Sequence, residues 1–161
     1  MGAVLVDVAE AVKDELASIT GLVLAITPER SYADWDEKLE DLSTLRVDVV
    51  PVNVGETELE ARGETRFLCH TDIGIRYRFA PEERDSNGRV TVSEIDDLLL
   101  LLEQFHDHFV NNGEGRRLGT YLAAAWQETN VRTWYVREHL RELGQYTGIL
   151  RVSYEAVVAH A

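Results

Sequence analysis

Cysteine is nearly absent from this chain of 161 residues, in which Cys69 is the only thiol. A single cysteine excludes an internal disulfide and any zinc site that needs several cysteines. Apolar residues never run together for the roughly 18 positions that a membrane-spanning helix requires. The first residues also lack the basic start and the cleavage site of a signal peptide. The sequence therefore predicts a soluble domain of a reducing compartment.

Positive charge is also scarce, because 16 Lys and Arg stand against 29 Asp and Glu, a net charge of −13. This balance argues against a surface that binds nucleic acid or anionic lipid by neutralising phosphates. Residues 1–64 hold 15 acids and 5 bases (net −10), whereas residues 116–161 hold 4 acids and 6 bases (net +2). In a self-assembling protein, this asymmetry predicts head-to-tail pairing of unlike surfaces.

No residue pattern indicates catalysis, a cofactor or a metal. His106 and His108 lie two positions apart on a predicted helix, where their side chains diverge by about 200° and cannot share one ion. Cys69 has no predicted base beside it and is interpreted as a small buried residue. Gly-x-Ser-x-Gly and the calcium-loop spacing are both missing. We expect no enzyme activity, no catalytic residue and no metal or cofactor site.

Two apolar stripes with helical spacing predict two amphipathic helices. The first covers residues 4–18 and buries Leu5, Val8, Val12 and Leu16, with Glu15 on the solvent side. The second covers residues 93–109, with Ser93 to Asp96 read as a capping box at its start.

Alternating or β-branched segments predict the strands. In residues 73–79 the apolar side chains point to one face and the polar ones to the other, and residues 146–158 alternate in the same way. Pro51 is expected to end its strand or to place it at an edge, and residues 53–65 and 81–91 read as mobile loops. The full set of predicted strands is 22–26, 45–52, 67–79, 123–131 and 146–158.

The order of these elements has no regular βαβ alternation. It predicts one α+β domain over residues 1–161, a mainly antiparallel sheet with two main helices packed on one face.

Aromatic residues and arginines in irregular segments are the remaining candidates for function. Such residues are the usual anchors of protein interfaces, although each tryptophan is equally consistent with a place in the core. The protein-interface candidates are Tyr32, Trp35, Arg116, Arg117, Trp134 and Tyr135. With Arg132 and Arg137, the two arginines would donate to carboxylates such as Asp34, Asp36, Glu37 and Asp41.

Four stretches together resemble the tail terminator, or tail-completion, proteins of long-tailed bacteriophages. They are the first helix, residues 42–51 with their Leu-Arg-Val-Asp-Val-Val-Pro strand, residues 72–78 with 94–99, and residues 138–150 with their Tyr-Thr-Gly-Ile-Leu ending. The stretches cover most of the chain, and each one alone is ordinary α+β patterning.

The resemblance implies a virion subunit in the tail or neck, assembled in the host bacterial cytoplasm. Such a subunit forms a six-fold ring, caps the completed tail tube and joins it to the head-completion or connector proteins. DNA would pass through the ring without specific binding. The sequence leaves open other functions: an acidic regulatory or inhibitor protein of the DNA-mimic type, an enzyme with a dispersed site, or another neck or tail-tube component.

Overall fold

Two long strands with alternating apolar and polar residues form the centre of the sheet. The computed structural model describes residues 3–52, 58–61, 63–111, 117–121 and 123–159. The helices are α1 (Val4–Ala17) and α2 (Val92–Asn111), and the strands are β1 (Pro28–Arg30), β2 (Leu45–Val52), β3 (Glu58–Ala61), β4 (Glu64–Arg78), β5 (Ala124–Thr133) and β6 (Gln145–Ala159). A 3₁₀ turn at Pro81–Glu83 and a π-helical turn at His139–Leu143 complete the described elements.

The strands form one mixed sheet in the order β1-β2-β4-β6-β5. β4 and β6 pair antiparallel along their whole length, from Glu64 opposite Ala159 to Arg78 opposite Gln145. Only the short β1 runs parallel to its neighbour β2 among the described strands. The predicted α+β class with a mainly antiparallel sheet is therefore confirmed.

Both helices bury their apolar stripes in one core against one face of the sheet. Val8, Val12 and Leu16 of α1 and Leu102 and Phe105 of α2 are fully buried. The sheet contributes the side chains that alternate toward the helices, including Ile73, Ile75, Leu150 and Val152. The helical spacing of apolar residues in the helices and their alternation in the strands predict this arrangement.

Two predicted elements differ from the structure, the strand over residues 22–26 and the loop over residues 53–65. Residues 22–26 form no strand, because the α2 side chain Gln104 bonds the backbone there: its Oε1 accepts from the Val23 N–H at 2.9 Å. The first strand is β1 instead. Residues 58–61 are strand β3, which pairs with the start of β4 as a hairpin, so the predicted loop over 53–65 is wrong there; residues 53–57 and 62 lie outside the described part.

α2 begins at Val92, so Ser93 lies within its first turn and the predicted capping box is wrong. The Thr91 hydroxyl, one residue before the helix, donates to Glu94 at 2.9 Å. Pro51 stays inside β2 opposite Thr71, beyond the three residues that β1 pairs with. Its missing N–H therefore costs no bond to β1.

The second face of the sheet is polar, and residues 31–44, here called the covering segment, cross part of it. Trp35 lies against Gly74 of β4, and the Leu39 N–H donates to Gln145 Oε1 at 2.9 Å. Arg78 returns a bond to the Leu39 carbonyl oxygen at 2.9 Å. The covering segment thus forms a thin second layer opposite the helices.

Candidate interface surfaces and the polar sheet face

Tyr32 is the most exposed of the predicted aromatic anchors, with 69% of its surface accessible. It follows β1 at one edge of the sheet, and the Arg30 guanidinium lies 5.1 Å from the ring centroid. Arg30 is itself held by Glu10 of α1, with Nε donating to Oε1 at 2.7 Å. The ring is therefore supported from inside the subunit and presented to solvent.

Trp35 packs within its own subunit. Its six-membered ring covers Gly74 so closely that a Cβ there would lie 2.1 Å from Cζ3. The Arg76 guanidinium lies 5.4 Å from the ring centroid, a cation–π arrangement. Half-buried Trp35 thus anchors the covering segment, and any role in a subunit contact would use only its outer edge.

The remaining candidates lie along the far edge of the sheet, on and beside β5. Arg117 is exposed and forms an isolated bridge with Ala125 of β5. Trp134 and Tyr135, just after β5, are 46% and 48% exposed. Arg132 and Arg137 are exposed as well, whereas Arg116 lies outside the described residues. Arg117 lies beside the start of β5 and the other four at or after its end. We call Arg117, Arg132, Trp134, Tyr135 and Arg137 together the β5-edge patch.

The sheet order separates Tyr32 from the β5-edge patch, because β1 and β5 are the two edges of the sheet. The predicted acceptors Asp34, Asp36, Glu37 and Asp41 are all exposed on the covering segment. Asp36 lies 3.3 Å from His139 of the π-helical turn, so the acidic segment crosses the polar face from the β1 edge toward β6. Tyr32 and the start of the acidic segment therefore lie at the edge opposite the β5-edge patch, while Asp36 reaches the π-helical turn two residues after Arg137.

Ion pairs occupy the polar face between these surfaces. Asp48 Oδ2 accepts from Arg76 Nη2 at 2.8 Å, with both side chains buried. Asp72 receives a two-pronged bond from Arg151, at 2.7 and 3.1 Å. The alternation of β4 places Asp72 and Arg76 on the face away from the helices without indicating their partners. Asp72 and Arg151 occupy paired positions of β4 and β6, whereas Asp48 lies diagonally from Arg76, whose paired residue on β2 is Arg46.

The His139–Thr147 pair on this face has Nδ1 and Oγ1 2.8 Å apart and Asp36 3.3 Å from the imidazole, but its hydroxyl belongs to a fully buried residue. His70 and Ser153 form a second arrangement that looks like a nucleophile and a base. The His70 Nδ1 and Ser153 Oγ atoms are 2.6 Å apart. Burial, followed by the charge of Arg151, lowers the pKa of His70. Arg151 occupies the nearby Asp72 carboxylate and Ser153 is buried, so the pair lacks the orienting acid and the access that nucleophilic catalysis needs.

The other candidates for chemistry are held in structural contacts. His108 Nε2 lies 2.8 Å from Glu15 Oε1 with both residues buried, so the prediction that Glu15 faces solvent is wrong. His106 lies 3.3 Å from its neighbour Asp107. Burial raises the pKa of the Cys69 thiol to about 11. Within the part of the chain that the structure describes, no three His, Cys, Asp or Glu residues converge as metal ligands, and no helix is long and apolar enough to cross a membrane.

Comparison with known proteins gives no family: no family model matches the chain, and no curated protein matches it either.

Proposed function

We propose that the protein is a structural subunit of a bacteriophage virion, a tail terminator that assembles as a six-fold ring. In this role it caps the completed tail tube and binds the head-completion proteins on its other side. The observation that carries the proposal is that the two edges of the sheet differ: Tyr32 and the start of the acidic covering segment lie at the β1 edge, and the β5-edge patch lies at the other. The α+β fold is also the one that the sequence resemblance implies.

Unlike surfaces at different places are what a ring needs. A ring closes through heterologous contacts, in which one patch of each subunit meets a different patch of the next. Exposed ion pairs contribute less than about 1 kcal/mol each, so the charges would set the register of the contact. Half-exposed Trp134 and Tyr135 would supply most of the affinity.

The distribution of the acids gives less support to a DNA-mimic inhibitor. Such a protein presents carboxylates on one continuous face, whereas Glu15 and Asp48 are buried here and Glu10 is paired with Lys13 and Arg30. The other described acids of residues 1–64 are distributed over α1 on one side of the sheet, the covering segment on the other, and strands β1, β3 and β4. The net charge of −13 instead suits a ring whose lumen lets DNA pass without binding it.

The test is the mass and shape of the purified protein. Negative-stain images should show rings with an open centre, and sedimentation should give the mass of six subunits at high protein concentration. Reversing charge at the β5 edge, with Arg117→Glu and Arg137→Glu, should lower the mass most at low salt, where attraction between exposed charges is least screened.

Arg89→Glu is the matched control, because Arg89 is also exposed but lies in the loop before α2. Its mass distribution should equal that of the wild type. A protein that stays monomeric at every concentration, alone and with isolated tail tubes, would contradict the proposal.

A further inference from the structure

A cavity of about 490 Å³ lies between the covering segment and the polar face of the sheet. Ser31, Leu39, Arg46, Asp48 and Arg76 are among the residues that line it. Its volume falls in the range of small-molecule sites, about 300–1,000 Å³. It is separate from the β5-edge patch.

The floor of the cavity holds two guanidinium groups and one carboxylate. Asp48 Oδ2 accepts from Arg76 Nη2 at 2.8 Å, and Asp48 Oδ1 lies 3.4 Å from Arg46 Nη2 and accepts from the Ser31 hydroxyl at 3.0 Å. Glu29 approaches Arg46 only at 3.8 Å, and its side chain is 64% exposed. The floor therefore has one positive charge more than its buried carboxylate neutralises.

Both arginines keep hydrogen-bonding capacity. Arg76 is 3% exposed, and its Nε has no hydrogen-bond partner among the described residues. Its other two nitrogens are occupied by Asp48 and by the Asp34 carbonyl oxygen. The Arg46 side chain is 37% exposed, and its ion pairs within the described part of the chain are two long ones, to Asp48 at 3.4 Å and Glu29 at 3.8 Å. The buried charge of Arg76 is paired with Asp48, but its Nε–H lacks an acceptor, and the ion pairs of partly exposed Arg46 with Asp48 and Glu29 are both long. The floor can therefore accept one further oxygen acceptor close to the two guanidinium groups.

We propose that this cavity is a binding site for a single carboxylate group. A carboxylate beside Arg46 would complete an alternating set of two guanidinium and two carboxylate groups, and planar guanidinium groups match carboxylates geometrically. The rim carries Glu37, Glu40 and Asp41 against Lys38, all exposed. These acids disfavour polyanions such as phosphate chains, so the site selects a monocarboxylate.

Titration of the monomeric protein with sodium acetate, at constant ionic strength set with sodium chloride, tests the proposal directly. The readout is the side-chain Nε–H resonances of Arg46 and Arg76, followed by two-dimensional NMR. Acetate should shift both resonances to a saturating value, while chloride alone and inorganic phosphate should not. Shifts that are linear, or equal with chloride, would overturn the proposal.

Arg46→Gln should weaken acetate binding about tenfold or more, because it removes one charge-assisted donor from a partly exposed position. Arg66→Gln is the matched control: Arg66 lies on the neighbouring strand β4, its side chain is 46% exposed, and it pairs with Glu64 and Glu155 outside the cavity. Unchanged binding in Arg46→Gln, or equal weakening in both variants, would overturn the assignment.

Sedimentation of the wild type with and without acetate identifies the source of the carboxylate. If an Asp or Glu of a second copy occupies the cavity, acetate should compete with that side chain and lower the sedimentation mass of the wild type. Subunits that remain assembled should then bind no acetate. If the natural ligand is a small monocarboxylate, acetate should bind with the mass unchanged. Binding to the monomer is measured separately, so failure of the ring proposal and failure of this site are distinguishable.

Discussion

At the scale of single residues, the chemistry of Cys69 is determined by burial. Burial raises the pKa of the thiol to about 11, so about one molecule in a thousand carries a thiolate at pH 8. We predict that Ellman's reagent labels the native protein very slowly and the urea-unfolded protein at the rate of a free thiol. With no other cysteine in the chain, the signal has one source. Native labelling at the unfolded rate would contradict the burial.

The raised pKa of the Cys69 thiol also makes the stability of the fold depend on pH. Folding favours the neutral thiol, so this contribution is fully present below the ordinary thiol pKa, about 8.5, and is lost as the pH rises toward 11.

Gly74 carries the contact that holds the covering segment on the sheet. Gly74→Ala would place a Cβ 2.1 Å from Trp35 Cζ3. The ring must move, so we predict a loss of about 1–3 kcal/mol in the free energy of unfolding, with a change in tryptophan emission. Urea unfolding measures the first quantity. Gly119→Ala is the control because nothing lies within 4 Å of the added Cβ. Equal stability of the two variants would mean that Trp35 does not pack there.

Alternation predicted which side chains of β4 face the helices, and the structure agrees. It could not predict Trp35, because a glycine inside a strand indicates a close approach without naming the group that approaches. The same holds for Asp48 and Arg76, whose partners are fixed by the order of strands in the sheet and not by spacing along the chain.

At the scale of elements, the Glu15–His108 contact joins the two helices. Glu15→Ala leaves the buried imidazole without its partner, so we predict a loss of about 3 kcal/mol in the free energy of unfolding. Glu10→Ala removes a partly exposed acid of the same helix, paired with Lys13 and Arg30 at the surface, and should cost about 1 kcal/mol. Thermal or urea unfolding compares the two.

Replacing both partners, with Glu15→Met and His108→Leu, should recover most of the stability lost in Glu15→Ala, since apolar pairs often replace buried polar pairs at little cost. A double variant no more stable than Glu15→Ala would show that packing, and not the unpaired imidazole, dominates the loss.

The helices were predictable because their periodicity is local, whereas the misplaced elements depend on distant partners. Residues 22–26 have the composition of a strand, yet Gln104 of α2 satisfies the Val23 N–H. Residues 58–61 look like a polar loop, yet they pair with the start of β4. The prediction that Glu15 faces solvent failed because the apolar stripe of α1 marks only the side of the helix that packs on the sheet. Packing against α2 buries a second side of α1, which carries Glu15.

At the scale of the whole molecule, the fold has three layers: helices, sheet and covering segment. The sequence predicted the first two, and the third follows from contacts that no periodicity encodes. This layering divides the surface, because the helices cover one face and the acidic segment crosses the other. The β5 edge carries two exposed aromatic rings with exposed arginines, whereas the β1 edge carries the single ring of Tyr32 beside half-buried Arg30. Assembly should therefore depend on this edge more than on any other apolar surface.

Trp134→Ala combined with Tyr135→Ala tests that dependence. Both side chains are about half exposed, so the variant should fold with nearly wild-type stability, while the ring should dissociate at protein concentrations where the wild type stays assembled. Sedimentation over a dilution series, with circular dichroism to verify folding, measures both effects. The matched control is Val92→Ala with Leu100→Ala, which removes exposed apolar groups from α2 instead. Because hot spots are local, the control should leave the mass unchanged. Equal loss of mass in both variants would mean that general surface hydrophobicity drives association, and the β5-edge patch would then have no special part in the ring.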